Sequence, residues 1–166
     1  MTRVVLVPGC LALHPRYASR VDPVADLRAA CQEAVSWLGQ TPEIVAGTQG
    51  QDIARALLET RTSVADHGAE RSFLVVANGS ACRTEKAPGY LDPRAEAFDK
   101  ELGAALRGPD PEAIRAIDPV TAGELWADTT GLPALADLLE GARTVDIGYE
   151  DAPYGVQYWV ARWSTP

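Results

Sequence analysis

Two short apolar runs constrain this chain most: Val4-Val5-Leu6-Val7 near the N-terminus and Phe73-Leu74-Val75-Val76 in the middle. The first is mainly β-branched, and each lacks polar alternation and stops at residues that break regular structure, as expected of a strand covered on both faces. The first, RVVLV at 3–7, ends at Pro8-Gly9; the second, FLVVAN at 73–78, runs into Gly79. Between them Val24, Leu27, Cys31, Val35 and Leu38 recur at helical spacing after Asp22-Pro23 and before Gly39. A further β run, PEIVAG at 42–47, precedes Ile53, Ala54, Leu57 and Leu58, which predict a short second helix. Strands alternating with helices predict an α/β fold with a mostly parallel sheet and right-handed crossovers.

The second half is richer in helix signals. Asp92-Pro93 opens a helix marked by Ala95, Phe98, Leu102 and Leu106 and closed near Gly108. Asp110-Pro111 and Asp118-Pro119 repeat that start for two short helices, and PALADLLEG at 133–141 gives another. Residues 142–150 and 154–163 then alternate as strands, and the EDAP connection is too short for a parallel crossover. A C-terminal antiparallel hairpin is expected. At 166 residues, with no internal repeat or linker, the chain reads as a single domain spanning 1–166.

Charge and cysteine content narrow the chemistry. A net charge of -8 opposes the excess of clustered Lys and Arg that binds a phosphate backbone, so nucleic acid is not an expected partner. No apolar run approaches a membrane span, and MTRVVLVPG lacks the features of a signal peptide, so the expected home is the cytoplasm. Cys10, Cys31 and Cys82 are an odd number without CxxC spacing, which fits reduced thiols. His14 and His67 are the whole supply of imidazole.

Ligands of open α/β sheets bind beyond the carboxyl ends of the strands. Three segments fall there: PGCLALHPRY after the first strand, AGTQG after the second and NGSACRTEKAPGY after the third, with YEDAPYG of the hairpin adding carboxylates. They predict a rim formed by His14, Thr48, Arg83 and Glu150. In NGSACR, Ser80 and Cys82 are candidate nucleophiles and Arg83 a candidate anion clamp, but no His or Asp stands beside them as a base. The alternative is that Ser80 shapes the turn and Cys82 is a small buried hydrophobe. His14, before Pro15, is a candidate metal ligand or general base, or else loop capping; His67 in ADHGAER reads as a solvated turn. Glu150 and Asp151 suit a cation or plain turn polarity, and Tyr149, Tyr154, Tyr158, Trp159 and Trp163 suit strand packing.

Taken together, NGSACRTEKAPGYLDPRAEAFDKELGAAL, GPDPEAIRAIDPVTAGEL and YEDAPYGVQYWVARW, with VVLVPGCLALHP at the start, resemble the actinobacterial proteins described as class III extradiol dioxygenase subunit-B-like. The resemblance covers most of 1–20 and nearly everything from 72 onward. It implies a three-layer α/β/α fold and ancestry with enzymes that use non-haem Fe(II) and oxygen to cleave catechol rings. Active members hold iron with a His after the first strand, a His after the second and a late Glu, and use a further His in a Gly-rich turn as acid or base.

This sequence departs from that pattern. Gly9-Cys10 occupies the first ligand position with His14 displaced along the loop, AGTQG has no His, and Arg83 replaces the His of the Gly-rich turn. Glu150 alone corresponds to the late carboxylate. The resemblance therefore implies the fold without its reaction. Three readings follow. One is a small-molecule site for an anionic or aromatic ligand built from Gly79, Ser80, Arg83, Lys86 and Tyr90, with no cofactor. Another is an enzyme with altered chemistry that uses His14, Cys82, Glu85 or Glu150 around Fe(II), another divalent metal or none. The last is an interaction module, including a homo-oligomer, that pairs through an exposed final strand.

Overall fold

The computed structural model describes residues 1–66 and 70–166, so His67 lies outside the described residues. It is a mixed α/β protein. Five strands, β1 (Thr2–Val7), β2 (Glu43–Val45), β3 (Arg71–Val76), β4 (Thr144–Asp151) and β5 (Tyr158–Thr165), form one sheet in the order β2-β3-β1-β5-β4. The strands β1, β2 and β3 are parallel, while β5 runs antiparallel to both β1 and β4. The expected C-terminal hairpin is thus present.

The uninterrupted apolar runs are explained by their register. Val4 pairs with Phe73 and Leu6 with Val75, and all four belong to one buried cluster. Val5 pairs with Leu74 and Val7 with Val76, and these belong to the other. The second cluster is closed by α1 (Ala25–Ser36) through Leu27, Cys31 and Val35, and by α2 (Thr48–Thr60) through Ile53, Ala54 and Leu57. The first is closed by α3 (Ala95–Arg107), α4 (Pro111–Arg115), α5 (Pro119–Glu124) and α6 (Leu132–Leu138), with the fully buried Trp159 and Trp163 of β5.

The connections β1-α1-β2 and β2-α2-β3 cross the sheet in opposite directions, yet α1 and α2 lie on the same face. They must therefore have opposite hands, so the expected right-handed crossover holds for only one of them. The final strand is also not exposed: β5 sits between β1 and β4, and the sheet edges are β2 and β4. Pairing through β5 is excluded because both of its backbone edges are already taken.

The Asp-Pro signals divide into two kinds. Asp110 accepts from the Ala113 N–H, and Asp118 from the Val120 and Thr121 N–H groups, as true caps with Pro at the first turn. Asp22 and Asp92 instead accept from Val24 and Arg94 two residues on, and α1 and α3 begin one residue later than that. The larger departure is α2, which starts at Thr48 rather than near Ile53. Gly50 looks like a loop residue but lies in the first turn of α2, where a β-carbon would come within 3.0 Å of Val76. Its smallness lets α2 approach β3. Among the described residues no helix is long and apolar enough to cross a membrane.

Candidate functional site

After β1 the chain departs toward the α1 and α2 face, whereas after β3 it departs toward α3 on the other face. Adjacent strands whose connections diverge leave a crevice at their carboxyl ends. A cavity of about 600 Å³ lies there, lined by Cys10 after β1, Gln49 of α2, Asn78 after β3, Trp126 and Asp128 between α5 and α6, and Tyr158 of β5. Its volume falls within the range of small-molecule sites.

The cavity floor is pinned by polar contacts. The Asn78 N–H donates to the Asp128 carbonyl at 3.0 Å in an antiparallel bridge, which ties the α5-α6 connection to the end of β3. The Gly9 N–H donates to Asn78 Oδ1 at 3.3 Å, and Gln49 Nε2 donates to the Gly9 carbonyl at 3.2 Å. Asp128 Oδ1 accepts from the Thr130 N–H at 3.1 Å. Burial, together with the neighbouring Cys10 thiol, pushes the Tyr158 phenol above its ordinary value. Trp126 stands at the mouth, 61% exposed, with φ of 59°. That backbone region is uncommon for a bulky side chain, and the surrounding contacts must hold it there.

The turn of the expected ligand loop is bonded inward. Ser80 is fully buried and donates its backbone N–H and its hydroxyl to the Asp99 carboxylate at 2.7 and 2.6 Å. Arg83 reaches the same carboxylate at 3.4 Å and donates to Gln157 Oε1 at 2.9 Å. The guanidinium is thus engaged by an internal anion. Gly79 carries no side chain because a β-carbon would lie 2.5 Å from Asp99 Oδ1. Backbone bonds from Gly79 and Arg83 to the Gln157 and Gly155 carbonyls stitch this turn to the β4-β5 connection. Burial raises the Asp99 carboxyl above the ordinary range, although the Ser80 and Arg83 contacts act in the opposite direction.

The remaining expected residues are dispersed. Cys82 is buried, its thiol meets the Leu125 carbonyl at 3.4 Å, and burial with nearby Asp92 and Asp99 pushes that thiol upward. Glu85, Lys86 and Tyr90 are exposed on the turn that leads to α3 and do not line the cavity. His14 caps the 3-10 turn Pro15–Tyr17, its Nδ1 accepting from the Arg16 N–H at 3.1 Å. Glu150 pairs with Arg107 of α3, on the sheet face opposite the α2 side where His14 sits. Thr48 begins α2, next to the lining residue Gln49.

These positions do not fit a facial triad for Fe(II). His14 Nδ1 and the Glu150 carboxylate are engaged elsewhere and lie on different faces, and among the described residues no three His, Cys, Asp or Glu side chains gather as a metal-binding group. Trp126 and Asp128 were hidden in sequence because LWADTTG reads as an ordinary connection between helix signals. The available clue was a Trp two residues before an Asp in a short connection otherwise of mostly small residues. Neither the protein-family models nor the curated proteins contain a match to this chain.

Proposed function

We propose that this chain is a three-layer α/β/α domain of the extradiol dioxygenase subunit-B-like type that binds a small aromatic ligand at the crevice between the ends of β1 and β3 and does not cleave rings through iron. The supporting observation is the cavity itself, which joins the indole of Trp126 and the phenol of Tyr158 to the polar groups of Asn78 and Asp128. Aromatic surfaces supply stacking area, while a few fixed polar atoms orient the ligand. Helices against both sheet faces support the layered reading. An anionic ligand is the weaker choice, because among the described residues no Lys, Arg or His lines the cavity and Arg83 is engaged with Asp99.

The test uses protein purified without chelators. Iron content and catechol-dependent oxygen uptake, with and without added Fe(II), should show no turnover. Saturable binding of the neutral aromatic probe 2-phenylethanol, followed by tryptophan fluorescence, should be present and should weaken in Trp126→Ala. Stoichiometric iron with oxygen consumption would overturn the proposal, as would wild-type binding that Trp126→Ala leaves unchanged.

A further inference from the structure

The acceptor atoms at the cavity floor converge. A β-carbon on Gly9 would lie 3.5 Å from Asn78 Oδ1 and 3.8 Å from Asp128 Oδ2, so one amide oxygen and one carboxylate oxygen face the same small volume above Gly9. Asp128 Oδ1 is taken by the Thr130 N–H, but Oδ2 has no hydrogen-bond or ion-pair partner among the described residues. Asn78 Nδ2 turns away to the Gly79 carbonyl at 3.3 Å, which leaves the oxygen on the Gly9 side. Among the described residues no basic side chain lines the cavity to neutralise Asp128. The indole of Trp126 lines the same cavity and offers a surface against which an aromatic ring can stack.

We infer that the ligand is an aromatic amine whose protonated nitrogen is held by Asp128 and Asn78 while its ring packs against Trp126; this rests on the cavity being the ligand site. An ammonium supplies three donors and one positive charge, which matches two acceptors and an uncompensated carboxylate. A calcium ion fits less well, since it takes six to eight oxygen ligands and only one carboxylate is offered. Gly9 completes the arrangement because its missing side chain leaves room above the floor.

Three probes of similar shape separate the possibilities: 2-phenylethylamine, neutral 2-phenylethanol and anionic phenylacetate, each titrated into the intact chain by calorimetry. The amine should bind most tightly and phenylacetate least. Asp128→Asn keeps the oxygen that accepts from Thr130, and it should weaken the amine by about tenfold to a hundredfold while weakening 2-phenylethanol far less. Equal or tighter binding of phenylacetate, or amine affinity unaffected by Asp128→Asn, overturns the amine assignment while the cavity reading stands. If none of the three binds, the cavity reading falls with it. Equal loss of all probes in Asp128→Asn identifies Asp128 as structural and also overturns the assignment.

Discussion

Ser80 and Asp99 are bonded twice, the Ser80 backbone N–H and hydroxyl both donating to one carboxylate that is 3% exposed. The pair fixes the turn after β3 onto α3, and Arg83 supplies the neighbouring positive charge at 3.4 Å. Asp99→Ala strands two donors and the guanidinium, and it should lower the unfolding free energy by about 3–5 kcal/mol, read by urea denaturation. Arg83→Ala, which removes a partly exposed partner, should cost less. The opposite ranking would mean that Arg83, not Asp99, organises the turn.

The same carboxyl has a pH signature. Its folded-state pKa is raised by burial, so the folded chain holds the proton more tightly than the unfolded chain, where an Asp titrates near ~3.9. The stability from this group is complete below that pH and is lost as pH rises through the folded-state value. Wild type should therefore lose unfolding free energy relative to Asp99→Asn as pH climbs from about 4 toward neutrality. A gap that moves the other way would show that Arg83 and Ser80 outweigh burial.

Gly89 couples the turn to the cavity mouth. A β-carbon there would lie 2.5 Å from Cys82 Sγ and 3.3 Å from Trp126 Cγ. Gly89→Ala should cost about 1–3 kcal/mol through overpacking and should shift the fluorescence maximum of Trp126, checked against Trp126→Phe as the blank. Unchanged emission would place the indole clear of Gly89.

The three thiols differ in access. All three are buried; burial pushes the Cys31 and Cys82 thiols upward, whereas Cys10, 8% exposed, lines the cavity. A small reagent such as methyl methanethiosulfonate should label Cys10 first in the native chain, label all three in denaturant, and be slowed at Cys10 by 2-phenylethanol. Labelling led by Cys82 would contradict the packing.

The sheet was largely legible because VVLV and FLVV carry no polar residue and the EDAP turn permits only an antiparallel return. The start of α2 was not, because Gly50 signals a break by propensity while its role is close packing against Val76. For the site, the sequence pointed to the strand ends where the cavity lies but to different side chains. Ser80 and Arg83 have the chemistry of ligand contacts, and only the three-dimensional position of Asp99, nineteen residues beyond Ser80, shows that they face inward. Trp126 and Asp128 reach the cavity through the Asn78 bridge, a long-range pairing with no local pattern to announce it.

The central claim is that ligand binds between the ends of β1 and β3, and amide chemical shifts during a titration with 2-phenylethanol test it most directly. Saturable changes should centre on Gly9, Cys10, Gln49, Asn78, Trp126 and Asp128 and should leave Glu85 and Lys86 unmoved. Changes centred on the exposed 84–90 turn, or none that saturate, would contradict the account.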